Sequence, residues 1–211
     1  LVSATVICTE GTYADALSTD GALLSPTVGL ALHASGQSAY TINLLPPSLV
    51  EARAEKAKMG SAGMVYLNSN FTTYHDLSLK LHGYAETGYN EYRSSEALIS
   101  HLEANGFKVE KGVAGIPTAY VATFGSGSPV VGILTEYDAL PGMAQDTVPY
   151  KSIPKDSPNG AGHGCGHNLM GTASTAAAVA ISKWLAEGHK GTLKVFGCPA
   201  EEGGGGKAYM V

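Results

Sequence analysis

The feature that most constrains the fold is a succession of strand, turn, helix and strand between residues 130 and 197. Residues 130–134 form a β-prone run that ends in the turn 135–142. Residues 169–187 are rich in alanine and repeat apolar side chains at helical spacing, and residues 192–197 form a second apolar strand. This order predicts an α/β protein whose mixed or mostly parallel central sheet is flanked by helices. Such sheets bind ligands beyond the carboxyl ends of their strands.

The segments before this unit also predict regular structure. Residues 72–106 indicate two helices with a break near residues 85–90. Ser94 is the predicted N-cap of the second helix, and Gly106 follows its end. Two β-prone runs, 119–124 and 130–134, are joined by a Gly/Ser turn and predict a hairpin. Asn168 is the predicted cap of the alanine-rich helix.

Composition excludes several classes of protein. The 211 residues are 44% hydrophobic and carry a net charge of −5, without a lysine- or arginine-rich run. We therefore expect no nucleic-acid partner. No apolar run approaches the roughly 20 residues of a membrane-spanning helix, so we expect no membrane partner. Three cysteines are too few for a disulfide framework, which favours a cytoplasmic location.

The spacing of apolar residues divides the chain into two parts. Residues 1–58 show no coherent periodicity and are interpreted as an uncharacterised leader. Coherent patterning begins after residue 58, and residues 59–211 are interpreted as one structured region. The last residues resemble the opening of a helix, so we expect the sequence to be a fragment of a longer protein.

Three potential metal ligands alternate with glycines in the segment His163, Gly164, Cys165, Gly166, His167. In an extended segment, alternate residues face the same side, so these side chains could converge. Imidazole and thiolate suit zinc, and imidazole with carboxylates also suits manganese. The helix that follows favours the thiolate form of Cys165. Taken alone, the motif is as compatible with surface histidines as with a metal site.

Acidic residues follow both predicted strands. Glu201 and Glu202 are adjacent at the end of one strand, where a cation would relieve their mutual repulsion. Glu136 and Asp138 follow the other, where a carboxylate could bind a metal or orient a histidine ligand. By themselves, Glu201 and Glu202 are a weak signal that a solvated acidic turn would also explain. For Glu136 and Asp138 alone, an ordinary strand-end turn is the favoured interpretation.

In this order, the three motifs resemble the metal-dependent amidohydrolase and exopeptidase family. They are TEYDALPG, then GHGCGHN before an alanine-rich helix, then CPAEEGGGGK after a strand. That family includes aminoacylases, auxin-conjugate hydrolases and aminobenzoyl-glutamate hydrolase. The segment AETGYNEYRSS also matches its N-terminal region, so the resemblance covers residues 72–211.

The resemblance implies that residues 59–211 are the N-terminal part of the catalytic domain of a dinuclear metallohydrolase. It also implies two divalent ions, zinc or manganese, per active site. Cys165, His167 and Glu202 match metal ligands, Glu201 matches the general base, and Asp138 matches an acid that orients a ligand. Whether Glu136 or His163 touches metal stays open. The implied reaction is hydrolysis of an amide bond in a small N-acyl amino acid or dipeptide, with aminobenzoyl-glutamate-like substrates favoured.

The same resemblance implies further ligands and a lid or dimerisation domain that this chain lacks. We therefore expect the fragment to be inactive and the full-length protein to be a homodimer or hetero-oligomer. Two alternatives remain. One is a non-catalytic homologue that keeps the metal-binding fold. The other is a thiol-dependent hydrolase with Cys165 as nucleophile.

Overall fold

The computed structural model describes residues 60, 62–155, 157 and 160–211, all within the compact unit Lys58–Val211. Residues 62–69 are helical, and after them come the helices α1 (Phe71–Tyr84), α2 (Tyr92–Ala104) and α3 (His167–Ala186). The short helical turns α4 (Glu201–Gly204) and α5 (Gly206–Tyr209) follow. Its strands are β1 (Lys108–Lys111), β2 (Tyr120–Ser126), β3 (Val130–Thr135) and β4 (Gly191–Gly197). Across this described part, no helix combines the length and the apolarity needed to cross a membrane. The predicted leader, residues 1–58, lies outside the described residues, and the division into domains stays a prediction.

The four strands form one mixed sheet in the order β1-β2-β4-β3. β1 and β4 each pair antiparallel with β2, whereas β3 and β4 are parallel. α3 connects the two parallel strands, so β3, α3 and β4 form a βαβ unit. The predicted α/β class with a mixed sheet flanked by helices is confirmed. Because β3 and β4 run the same way, their carboxyl ends meet at one edge of the sheet.

The predicted hairpin between the second and third strands is wrong. β4 lies between β2 and β3, and Thr192 of β4 is in register with both Gly125 and Val130. The connecting loop crosses the start of β4, where Thr192 N donates to Pro129 O at 2.9 Å and Thr192 Oγ1 donates to Gly127 O at 2.7 Å. The Gly/Ser turn predicted that the chain reverses after β2. It could not predict that β4, which comes much later in the sequence, lies between β2 and β3.

The larger of two apolar clusters among the described residues joins the helices to the sheet. Leu81 of α1, Leu98 and Leu102 of α2, Val179 of α3 and Val195 of β4 are all fully buried. Leu98 and Leu102 therefore share a face, as their spacing predicts. Each such side chain contributes about 1.5–3 kcal/mol relative to an exposed position. This core fixes α3 against β3 and β4, and so fixes where α3 begins.

The ends of the helices confirm some predictions and correct others. The break between the first two helices is confirmed, and Gly106, with φ of 87°, follows α2 as predicted. Ser94 is not the N-cap, because α2 begins at Tyr92 and the Ser94 hydroxyl donates to Glu86 Oε2. Asn168 is not a cap either. α3 begins one residue before it, and the Asn168 side chain donates to the carbonyl of Ser78.

Candidate metal centre

Five polar residues meet at the edge of the sheet where β3 and β4 end. Glu136 and Asp138 follow β3, Glu201 and Glu202 follow β4, and His167 is the first residue of α3. Parallel pairing of the strands brings the two acidic segments to the same edge, and the core places the start of α3 between them. The position agrees with the expectation that ligands of an α/β sheet gather beyond its strand ends.

His167 is buried and has a different environment at each ring nitrogen. Its Nδ1 lies 3.0 Å from Asp138 Oδ1 and 3.1 Å from the Asp138 carbonyl oxygen. Both partners are acceptors, so Nδ1 carries the proton and donates it. Its Nε2 lies 3.3 Å from Glu136 Oε2 and 3.8 Å from Glu201 Oε2. Nε2 therefore faces two carboxylates, and a histidine that an acid orients in this way can bind a metal through Nε2.

The ligand atoms of Glu136, His167 and Glu201 lie within 4.8 Å of one another. One cation can reach His167 Nε2 together with either carboxylate, at 3.3 and 3.8 Å from it, because zinc bonds to nitrogen and oxygen measure about 2.0–2.2 Å. The side chains of Glu136 and His167 are 10% and 7% exposed, whereas that of Glu201 is 37% exposed. Glu201 is thus the member of the cluster that solvent reaches most easily.

A second pair of potential ligands, Cys165 and Glu202, lies beside this cluster. The hydrogen bond of the Cys165 thiol to Glu202 raises the pKa of the thiol, and burial and the charges of nearby carboxylates raise it further. The expectation that the start of the helix favours the thiolate is therefore wrong for the protein residues alone. A cation between the two side chains would reverse this balance.

Glu202 itself is held by its backbone. Its N–H donates to Asp138 Oδ2 at 2.8 Å, so Asp138 contacts both Glu202 and His167. The side-chain atom Glu202 Oε1 is buried, and no hydrogen-bond partner for it occurs among the residues that the structure describes. A buried carboxylate oxygen without a partner is costly unless a cation compensates it. This atom belongs to the carboxylate beside the Cys165 thiol, and the pair fits the binding of a divalent cation.

The structure brings together Asp138, His167 and Glu201, and it places Cys165 beside Glu202. His163 is not part of the cluster. Its Nε2 lies 3.1 Å from the Leu81 carbonyl, and its ring is 6.4 Å from that of His82. The three alternating ligands do not share one face, because Gly166, with φ of 76°, turns the chain and His167 is already helical.

Lys207, which was not among the predicted site residues, also contacts this edge. The Lys207 ammonium donates to Glu136 Oε1. Burial lowers the pKa of Lys207, but the hydrogen bond and charge of Glu136 outweigh that effect and raise it. Glu136 therefore has a cationic partner as well as His167. The only signal in the sequence is one cation directly after the glycine run, which does not point to a partner 71 residues away.

Together, the fold and this edge define an α/β protein with a carboxylate, imidazole and thiol centre suited to divalent metal ions. Residues 132–211 match Peptidase family M20/M25/M40. The chain is also 47% identical over 142 residues to one subunit of the p-aminobenzoyl-glutamate hydrolase of Escherichia coli. That match covers 65% of this chain and 29% of the relative, so the chain spans about a third of its length.

Two solved structures share the fold. A dinuclear metal-binding peptidase of the M20 family from Bacillus subtilis superposes with a TM-score of 0.55 and 25% identity, over 64% of this chain and 37% of that one. A protein from methicillin-resistant Staphylococcus aureus, described as an aminohydrolase, gives a TM-score of 0.60 at 23% identity. This second match covers 71% of this chain and 38% of that one, and it supports the fold alone.

Proposed function

We propose that the full-length protein is a metal-dependent amidohydrolase that cleaves the amide bond of a small N-acyl amino acid or dipeptide. The observation that carries the proposal is His167, which is oriented by Asp138 through Nδ1 and faces two carboxylates through Nε2. The name of the Escherichia coli relative makes p-aminobenzoyl-glutamate the first substrate to test.

We further propose two divalent cations, zinc or manganese, with Cys165, His167 and Glu202 as ligands from this chain. The dinuclear relative from Bacillus subtilis supports the number of ions. Such ions, when bound, lower the pKa of water and polarise the substrate carbonyl. Asp138 keeps the proton on His167 Nδ1 and thereby leaves Nε2 free to bind.

Glu201 is the proposed general base. Its side chain is partly exposed and lies next to His167. By contrast, the Glu136 carboxylate is paired with Lys207, and the Asp138 carboxylate accepts from the backbone of Glu202. In this role Glu201 Oε2 accepts a proton from the attacking water and passes it to the amide nitrogen as the C–N bond breaks. General acid–base catalysis of this kind contributes about 10²–10⁴-fold in rate.

The alternatives have weaker support. The carboxylates around Cys165 raise the pKa of its thiol, which disfavours a thiolate nucleophile. A non-catalytic homologue would have no need for an acid placed like Glu201.

A cytoplasmic location and assembly as a homodimer or hetero-oligomer are also proposals. The name of the Escherichia coli relative, which describes one subunit of an enzyme, supports the second of these.

Substitution of Glu201 by glutamine in the full-length protein tests the proposal. We expect Glu201→Gln to lower kcat for p-aminobenzoyl-glutamate by about 10²–10⁴-fold while metal content stays at the wild-type level. The exposed Glu187→Gln serves as the matched control and should keep wild-type kcat. Equal kcat in wild type and Glu201→Gln would refute the general base. Activity that survives complete removal of metal would favour the thiol mechanism instead.

A further inference from the structure

Glu91 is a buried carboxylate that lies outside the metal-binding cluster but contacts the segment that carries it. The residue is 0% exposed, and burial raises the pKa of its carboxyl group despite three hydrogen-bond donors. Its Oε1 accepts hydrogen bonds from Ala200 N at 2.8 Å and Tyr89 N at 2.9 Å. Its Oε2 accepts one from the Thr118 hydroxyl at 2.9 Å. Glu91 therefore joins the loop before α2 to the residue directly before Glu201.

The backbone at Ala200 needs such an anchor. Ala200 has φ of 53° and ψ of 44°, a left-handed conformation that is unfavourable for a residue with a Cβ. The same turn is packed tightly, since a Cβ added at Gly88 would lie 3.0 Å from that of Ala200. The Tyr89 hydroxyl also donates to the Gly204 carbonyl at 2.6 Å. The loop that carries Glu91 thus contacts the turn at both of its ends.

The residue after Glu201 is anchored independently. Glu202 N donates to Asp138 Oδ2, and Asp138 is also buried. Each of the residues that flank Glu201 therefore has its peptide N–H bound by a buried carboxylate, one from each of two distant segments. Among the described residues, the Glu201 side chain accepts no hydrogen bond from a backbone N–H. Its direction therefore depends on the backbone on either side of it, which Glu91 and Asp138 hold.

We propose that Glu91 is a positioning residue that fixes the Ala200 peptide and thereby aims the Glu201 carboxylate at the reacting water. This inference rests on the proposed function, because it takes Glu201 as the base. It goes further because it makes the orientation of Glu201 depend on Glu91, which lies 109 positions before Ala200 in the sequence. Since Asp138 holds Glu202 and His167, loss of Glu91 should affect catalysis more than metal binding.

Hydrogen exchange in the full-length protein tests the anchor without reference to activity. Glu91→Ala removes the acceptor of the Ala200 amide, so we expect that amide to exchange faster. Glu91→Gln keeps an oxygen for both backbone donors and should protect the amide as in the wild type. The matched control is Glu86→Ala, since Glu86 lies in the same loop but accepts from the backbone of Arg93 and Ser94. It should speed exchange at Ser94 and not at Ala200.

Kinetics of the same variants test the consequence. We expect Glu91→Ala to lower kcat by about a hundredfold, the effect of a displacement near 1 Å, with KM and metal content close to wild type. Glu91→Gln and Glu86→Ala should keep a kcat close to wild type. If Glu91→Ala fails to fold, Glu91→Asp keeps the charge, is one methylene too short to reach both amides, and should show the same loss.

Unchanged exchange at Ala200, or an unchanged kcat, in the Glu91→Ala and Glu91→Asp variants would overturn the positioning role. Loss of metal in parallel with loss of kcat would also overturn it, because Glu91 would then act on the ligands. The proposed function fails separately: a metal-loaded wild type that hydrolyses no N-acyl amino acid or dipeptide would refute it, whatever the exchange data show.

Discussion

Asp138 shows how much of the candidate site depends on a single buried side chain. Its Oδ1 faces His167 Nδ1, and its Oδ2 accepts the N–H of Glu202. Both contacts need an acceptor, and a carboxylate supplies two. Asp138 therefore fixes the tautomer of one proposed ligand and the backbone of another, which gives the proposed orienting role a physical basis.

Replacement of Asp138 by asparagine should weaken metal binding in the full-length protein by about 10–100-fold. An asparagine has one acceptor oxygen and one amide donor, so it cannot accept from both His167 Nδ1 and Glu202 N. If the amide donates to Nδ1, the imidazole proton moves to Nε2 and blocks the ligand position. Titration against a competing metal indicator measures the affinity. The exposed Asp146→Asn is the control, and equal affinities for wild type and Asp138→Asn would contradict the assigned role.

Individual residues of the site differ in how far sequence could reveal them. Cys165, His167, Glu201 and Glu202 lie in short motifs, so sequence alone suggested them. The contact between Glu91 and Ala200 spans 109 positions, and that between Lys207 and Glu136 spans 71. Neither contact leaves a local pattern, because periodicity and turn residues report only on neighbours along the chain.

Among the elements, the order of the strands was harder to predict than their positions. β4 was predicted within one residue, since it is a short apolar run bounded by glycines. The strand that pairs with β2 could not be predicted in this way. It is β4, whose place in the sheet depends on how α3 packs against the sheet. The start of α3 differed from the prediction for a similar reason. The turn at Gly166 and the contact of His167 with Asp138 begin the helix before Asn168.

The close approach of α3 to the end of β3 gives a prediction for this element. A Cβ at Gly171 would lie 2.6 Å from the Glu136 carbonyl, so Gly171→Ala should push α3 away from β3. We expect a loss of about 1–3 kcal/mol in the free energy of unfolding. Metal affinity should also fall, because His167 lies one turn before Gly171. Thermal denaturation and metal titration of the full-length protein measure the two effects.

The control for this prediction is a helical glycine without close neighbours. A Cβ at Gly83 in α1 would meet nothing within 4 Å, so Gly83→Ala should leave metal affinity unchanged and stabilise the protein by up to about 1 kcal/mol. Equal effects of the two substitutions would show that α3 and β3 can separate without consequence for the site.

For the whole molecule, the described residues supply one side of a metal centre. Its proposed ligands, its base and their anchors come from the loop before α2, the ends of β3 and β4, and the start of α3. These segments share one core, so the geometry of the centre is a property of this sheet and its helices. The chain spans about a third of the length of its Escherichia coli relative.

Anomalous diffraction from crystals of the full-length protein loaded with zinc would test the central claim most directly. The account predicts density for metal about 2.3 Å from Cys165 Sγ and about 2.1 Å from His167 Nε2, with a Glu202 oxygen as a further ligand. Glu201 should lie next to the metal without binding it. Absence of metal between these three side chains, or coordination by Glu201 in place of Glu202, would contradict the account.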